Sequence, residues 1–144
     1  MRTSVMLLGL LSFATTSALS QEPPADTIVT KDGQLVILQV QESDRFPPDC
    51  ATPRTISCRQ VRPGFKIVVI WLGAVDSSKT EPVSSALMHS FKEIQIVADD
   101  GKKTEAYSGG MVDRKLFVAF TPPANARVQG LAWPGNPLIE LARP

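Results

Sequence analysis

Alternation between apolar and polar positions is the clearest regularity along this chain, and it runs with a period of two. In residues 35–40, Val36, Leu38 and Val40 fall on one face and Leu35, Ile37 and Gln39 on the other. Residues 65–72 are apolar on both faces, with Phe65, Ile67, Val69 and Trp71 opposite Val68, Ile70 and Leu72. Such a run predicts a strand in the middle of a sheet, covered on both sides. Residues 91–98 alternate again, setting Ile94 and Ile96 against Glu93 and Gln95. Asp99-Asp100-Gly101 then predicts a hairpin turn, with residues 103–107 as the returning strand. The pair Gly109-Gly110 predicts a break. Residues 115–121 form the next strand, with Leu116, Val118 and Phe120 on one face, and Pro122-Pro123 stops it. Residues 127–133 and 138–141 complete the set, separated by Pro134-Gly135-Asn136-Pro137. Trp133 ends the first of these strands, which favours a place in the core over an exposed anchor. The one expected helical turn is 84–88, and the proline-rich stretch 42–63 predicts no single central element.

About seven short strands with closely spaced turn signals, and no helix of crossover length, favour an antiparallel architecture over a parallel α/β sheet. The expected fold is all-β, an immunoglobulin-like antiparallel β-sandwich, occupying residues 34–144 after a leader and first edge segment at 21–33.

The N-terminus changes the picture. Arg2 is followed by an apolar run from Met6 to Ala14, and Ala18-Leu19-Ser20 places small residues at the −3 and −1 positions of a cleavage site before Gln21. That is the layout of a secretory signal peptide over residues 1–20. The apolar run falls short of the roughly 20 residues needed to span a bilayer, and no later run is long enough to do so, so the expected mature chain has no transmembrane segment. Secretion or a periplasmic location follows. Without Arg2 the basic and acidic residues balance at 14 each. A neutral chain with scattered charge gives no electrostatic case for nucleic acid. Cys50 and Cys58 are the two cysteines, and in an exported chain they read as a disulfide closing a short loop.

From Arg62 onward the order of features is similar to a known group. Arg62-Pro63-Gly64-Phe65 leads into the apolar strand, and Glu81-Pro82-Val83-Ser84 forms the connection. A strand and an Asp-Gly-Lys hairpin follow at 91–102, then a strand ending in Pro122-Pro123-Ala124. This resembles small exported bacterial domains of unknown function with a telokin-like immunoglobulin sandwich, related to a mycobacterial immunoprotective secreted antigen. The resemblance implies an architecture and a location, and it transfers no site residues.

Candidate chemistry is sparse. A Ser-His-Asp site would have to use the single histidine, His89, and neither Ser84 nor Ser90 sits in a nucleophile-elbow context. We therefore expect no enzyme. Met88, His89 and Met111 are soft ligands suited to Cu(I), which makes an extracytoplasmic copper or small-ligand carrier the alternative. One histidine is few for such a site, and the main expectation is a chain without a cofactor. The remaining class is recognition, possessed of one candidate region. The loop 46–63 is proline-rich, closed by the cysteines, and presents Phe46, Arg54, Arg59 and Arg62. The same loop would serve equally to protect a sheet end. The expectation is an exported non-catalytic interaction or structural module, its partner an extracytoplasmic protein.

Overall fold

A computed structural model describes residues 27–46, 59–87 and 93–141. The chain order is β1 (Thr27–Thr30), β2 (Gly33–Ser43), β3 (Arg45–Phe46), β4 (Arg59–Gln60), β5 (Ile67–Ala74), α1 (Glu81–Leu87), β6 (Gln95–Ala98), β7 (Lys103–Val112), β8 (Lys115–Phe120), β9 (Val128–Ala132) and β10 (Ile139–Glu140). Eight strands form one antiparallel sheet in the order β1-β2-β5-β8-β7-β6-β9-β10, curled nearly into a barrel, and β3 and β4 pair separately. The fold is mostly β and antiparallel, as the alternation predicts.

β5 has the central place expected of it, between β2 and β8. Its inward residues Val68, Ile70 and Leu72 are fully buried, and its outward Ile67 and Val69 are buried too. The strand begins at Ile67, two residues after the start of the apolar run, because Phe65 turns aside into an isolated bridge with Pro123. From β8, Leu116, Val118 and Phe120 face inward into the core they share with Ile94 just before β6, Ile96 of β6 and Leu131 of β9. Trp133 joins the same core at 3% exposure. Burying an aromatic or branched side chain of this kind contributes roughly 1.5–3 kcal/mol.

β7 joins the two halves of the sheet. Lys103, Thr104 and Glu105 pair with β6, and Ala106 onward pairs with β8. The Asp99-Asp100-Gly101 hairpin forms as expected, with Gly101 N–H donating to Ala98 O and Ala98 N–H to Lys102 O. The expected break at Gly109-Gly110 does not occur, and β7 continues to Val112. Packing explains this: a Cβ on Gly110 would lie 3.0 Å from the Phe117 ring, so the glycine makes room for an aromatic on the neighbouring strand. β1 falls within the segment expected to hold a leader and edge, and it is an edge strand of the sheet.

The helix begins at Glu81, earlier than the expected turn at 84. Thr80 O accepts the first helical hydrogen bond from Ser84 N–H at 3.0 Å, and Pro82 sits in the first turn, where a missing N–H costs nothing. Val83 and Ala86 are fully buried and insert into the main core from one end of the barrel. No helix among the described residues is long and apolar enough to cross a membrane.

Candidate binding cleft

The outer face of β5 and β8 carries an apolar cluster of its own. Ile67, Val69 and Ala119 form a second buried cluster on that face, roofed by Phe46 of β3 and by Val61 just after β4. Phe46 packs on Phe117 with ring centroids 5.4 Å apart, and Trp71 packs on the same ring at 5.6 Å. Trp71 Nε1 donates to Gln41 Oε1 at 2.9 Å, which satisfies its one polar atom.

Beside this roof lies a cleft of about 520 Å³. Ile67 and Thr121 line it from the sheet, Gln60, Val61, Arg62 and Phe65 from the segment between β4 and β5, and Tyr107 from β7. Its volume is in the range of small-ligand and side-chain pockets. A second hollow adjoins it, shared through Val61, Arg62 and Phe65 and extending to Asp44.

Two backbone devices shape the cleft. The first is the turn Arg62-Pro63-Gly64-Phe65, closed by Phe65 N–H donating to Arg62 O at 3.1 Å. Proline fixes φ at the second position, and Gly64 adopts φ +87° at the third, the requirement of a type II turn. The turn is tied down on its far side, where Ala124 N–H donates to Gly64 O at 2.9 Å and Lys66 N–H to Pro122 O at 3.0 Å. Arg62 and Phe65, the turn's two ends, are thereby held at fixed spacing. The second device is a register shift in β7 between Ala106 and Ser108. Tyr107 is the extra residue; it follows the inward Ala106, so its side chain lies on the outer face, at 48% exposure, and the insertion brings Ser108 opposite the outward Ala119. Phe65 is 44% exposed opposite it.

Among the described residues, Arg62 is the single charged one lining the cleft. It has no ion-pair partner among the described residues. The carboxylate of the adjoining hollow, Asp44, is already engaged by Arg45 Nε at 3.2 Å.

Of the residues singled out from the sequence, Phe46 and Arg62 come to this face, Phe46 as roof and Arg62 as cleft wall. Arg59 lies in β4, next to Gln60 of the cleft wall. Arg54, Cys50, Cys58, Met88 and His89 lie outside the described residues. Met111 is in β7, 48% exposed, one residue before the strand's end. Among the described residues no group of three or more His, Cys, Asp or Glu side chains is placed to hold a metal ion. Sequence reasoning missed Phe65 and Tyr107 as site residues. The Pro63-Gly64 pair was the available signal for Phe65, since it fixes the turn that projects it. Tyr107 carried none, because alternation does not say which outward residue of β7 adjoins that turn.

No family model, curated protein or solved structure matches the chain.

Proposed function

We propose that this chain is an exported, non-catalytic binding module that contacts a protein outside the cytoplasm through the cleft between Tyr107 and the Arg62–Phe65 turn. The observation that carries the reading is that both cleft walls are set by backbone irregularities fixed in place. A pinned type II turn holds Phe65 and Arg62, and a bulge presents Tyr107. A backbone fixed beneath these side chains lowers the entropy lost on binding, and Tyr and Arg are the residue types on which interface energy concentrates.

The immunoglobulin-like kinship, the signal peptide and the Cys50–Cys58 disulfide belong to the same reading. Short antiparallel strands around one core support the first. The h-region and its small-residue cleavage site support the second, and the oxidising compartment supports the third. A chain recovered from the extracytoplasmic fraction of its host then has the mass of residues 21–144 less two hydrogens.

The interaction is tested with a photo-cross-linking side chain placed at Phe65 or, as control, at the exposed Val75 beyond the end of β5. A discrete adduct from position 65 that is absent from position 75, and that Arg62→Ala removes without shifting the melting curve, is the expected result. Equal labelling from both positions would sink the proposal.

A further inference from the structure

We infer that the cleft selects a peptide segment in which an acidic side chain neighbours an apolar one, with the carboxylate on Arg62 and the apolar side chain between Phe65 and Tyr107. This rests on the binding-module reading and adds the chemistry of the ligand.

Charge decides the first half. Among the described residues the cleft lining holds one formal charge, the Arg62 guanidinium, which has no ion-pair partner among them. An incoming cation would meet Arg62 as a like charge, and Asp44, the carboxylate of the adjoining hollow, is engaged by Arg45 at 3.2 Å. A carboxylate would gain a charge-assisted and bidentate contact. Apolar surface decides the second half. Of the apolar residues lining the cleft, Ile67 is 2% exposed, while Phe65 and Tyr107 present nearly half of their surface. An aliphatic or aromatic side chain placed there takes the exposed faces of Phe65 and Tyr107 out of water together.

Shape points to a peptide as the occupant. The cleft and the adjoining hollow share Val61, Arg62 and Phe65, so Arg62 lies where the two meet. A compact acid would fill one hollow and leave the other empty. An extended segment occupies both, with successive side chains falling on either side of the guanidinium. Gln60 lines both hollows and offers an amide donor and acceptor to a passing backbone.

The test titrates the full chain with acetyl-Phe-Glu-amide, its neutral counterpart acetyl-Phe-Gln-amide, and hydrocinnamate as a free small acid, following backbone amide resonances. The glutamate peptide is expected to shift Val61, Phe65, Tyr107 and Thr121 and to bind about tenfold more tightly than the glutamine peptide, the size of one charged hydrogen bond at a partly exposed site. Arg62→Gln should erase that preference, and Arg62→Lys should restore part of it. The Arg62 side chain is exposed and its turn role uses only the backbone, so both variants fold. Equal binding of the two peptides with unchanged affinity in Arg62→Gln overturns the acidic-ligand inference and leaves the cleft as a binding site. Hydrocinnamate binding as tightly as the glutamate peptide overturns the peptide and makes the occupant a small acid. Resonance shifts from none of the three overturn both the inference and the cleft reading.

Discussion

The side-chain amide of Asn136 pairs with the outer edge of β1 as a strand would. Asn136 Oδ1 accepts the Val29 N–H at 2.8 Å, and Asn136 Nδ2 donates to the Val29 carbonyl at 3.0 Å. The two residues are 107 positions apart. Val29 belongs to the first edge strand of the sheet, and Asn136 to the turn between β9 and β10 at the other edge. One carboxamide thus bridges the gap that keeps the sheet from complete closure. Asn136→Ala should destabilise the fold by about 1 kcal/mol, since both bonds are reachable by water and each contributes roughly 0.5–1.5 kcal/mol. Asn136→Asp should do nearly the same, having lost the donor. Urea melts read the stability, and faster exchange of the Val29 amide locates the effect. An unchanged exchange rate would remove the bridge from the account of closure.

The β7–β8 turn carries strain that can be relieved. Asp113 and Arg114 have φ of 50° and 65°, both positive, in a two-residue hairpin closed by Val112 and Lys115. Asparagine and glycine suit those positions, whereas an arginine there suffers a Cβ clash. Arg114→Gly is expected to raise stability by about 0.5–1 kcal/mol. The readout is the urea midpoint, and a midpoint that falls would mean that the arginine side chain makes a contact worth more than the strain.

Gly64 offers the opposite experiment at the cleft. A Cβ there would meet nothing within 4 Å, so space is no obstacle, yet φ is +87°. Gly64→Ala should cost about 1–2 kcal/mol through backbone conformation alone. Because the turn sets Arg62 and Phe65, ligand affinity should fall as well, with Phe65 resonances moving in the free protein. A variant that loses stability but keeps full affinity would separate the turn from recognition.

Phe120 and Phe117 are neighbours in β8 facing different compartments. Phe120 is fully buried in the main core, while Phe117 lies half-buried on the outer face between Phe46 and Trp71. Phe120→Ala should cost about 3–5 kcal/mol, the range for a buried phenyl group. Phe117→Ala should cost clearly less, because part of its ring already meets water. Equal losses in denaturant titrations would show that the outer cluster is as much a core as the inner one.

Asp76 gives a pH signature. Its carboxylate accepts the Ser78 hydroxyl at 2.6 Å and the Ser78 N–H at 3.1 Å. Those hydrogen bonds, side chain first and backbone second, hold its pKa below the ordinary carboxylate value, with a smaller contribution from Lys79. A depressed folded pKa means stabilisation that is present above the unfolded pKa and lost as pH falls through the lowered folded value. Ser78→Ala should move the Asp76 titration upward, as followed by carboxyl resonances. No movement would leave the serine without a role in the turn.

Strand positions were readable from alternation wherever one face is buried: Val68, Ile70 and Leu72, then Leu116, Val118 and Phe120, then Ile94 and Ile96 all point where the pattern places them. Strand order was not readable, because inward and outward alternation is the same in a sandwich and in a curled single sheet. Gly109-Gly110 misled because a glycine pair signals a turn equally well as a space left for a neighbour, and Phe117 is that neighbour. At the cleft, Arg62 and Phe46 were both found through the proline-rich loop 46–63. Tyr107 was hidden, since alternation can place it on the outer face of β7 but says nothing of which outward residue adjoins the Arg62–Phe65 turn. The Asn136 bridge was hidden for a different reason: a side chain acting as a strand edge across 107 residues leaves no local trace.

β7 is held in common by both halves of the sheet, its first three residues paired with β6 and the rest with β8. A domain with a seam can open along it, losing one half while the other persists. Here the seam runs through the middle of a single strand, so separating the halves means pulling that strand away from one of its partners and exposing the core both cover. The molecule therefore has no detachable half: neither β1-β2-β5-β8 nor β6-β9-β10 keeps its missing wall if the other goes, and the whole should melt as one cooperative unit.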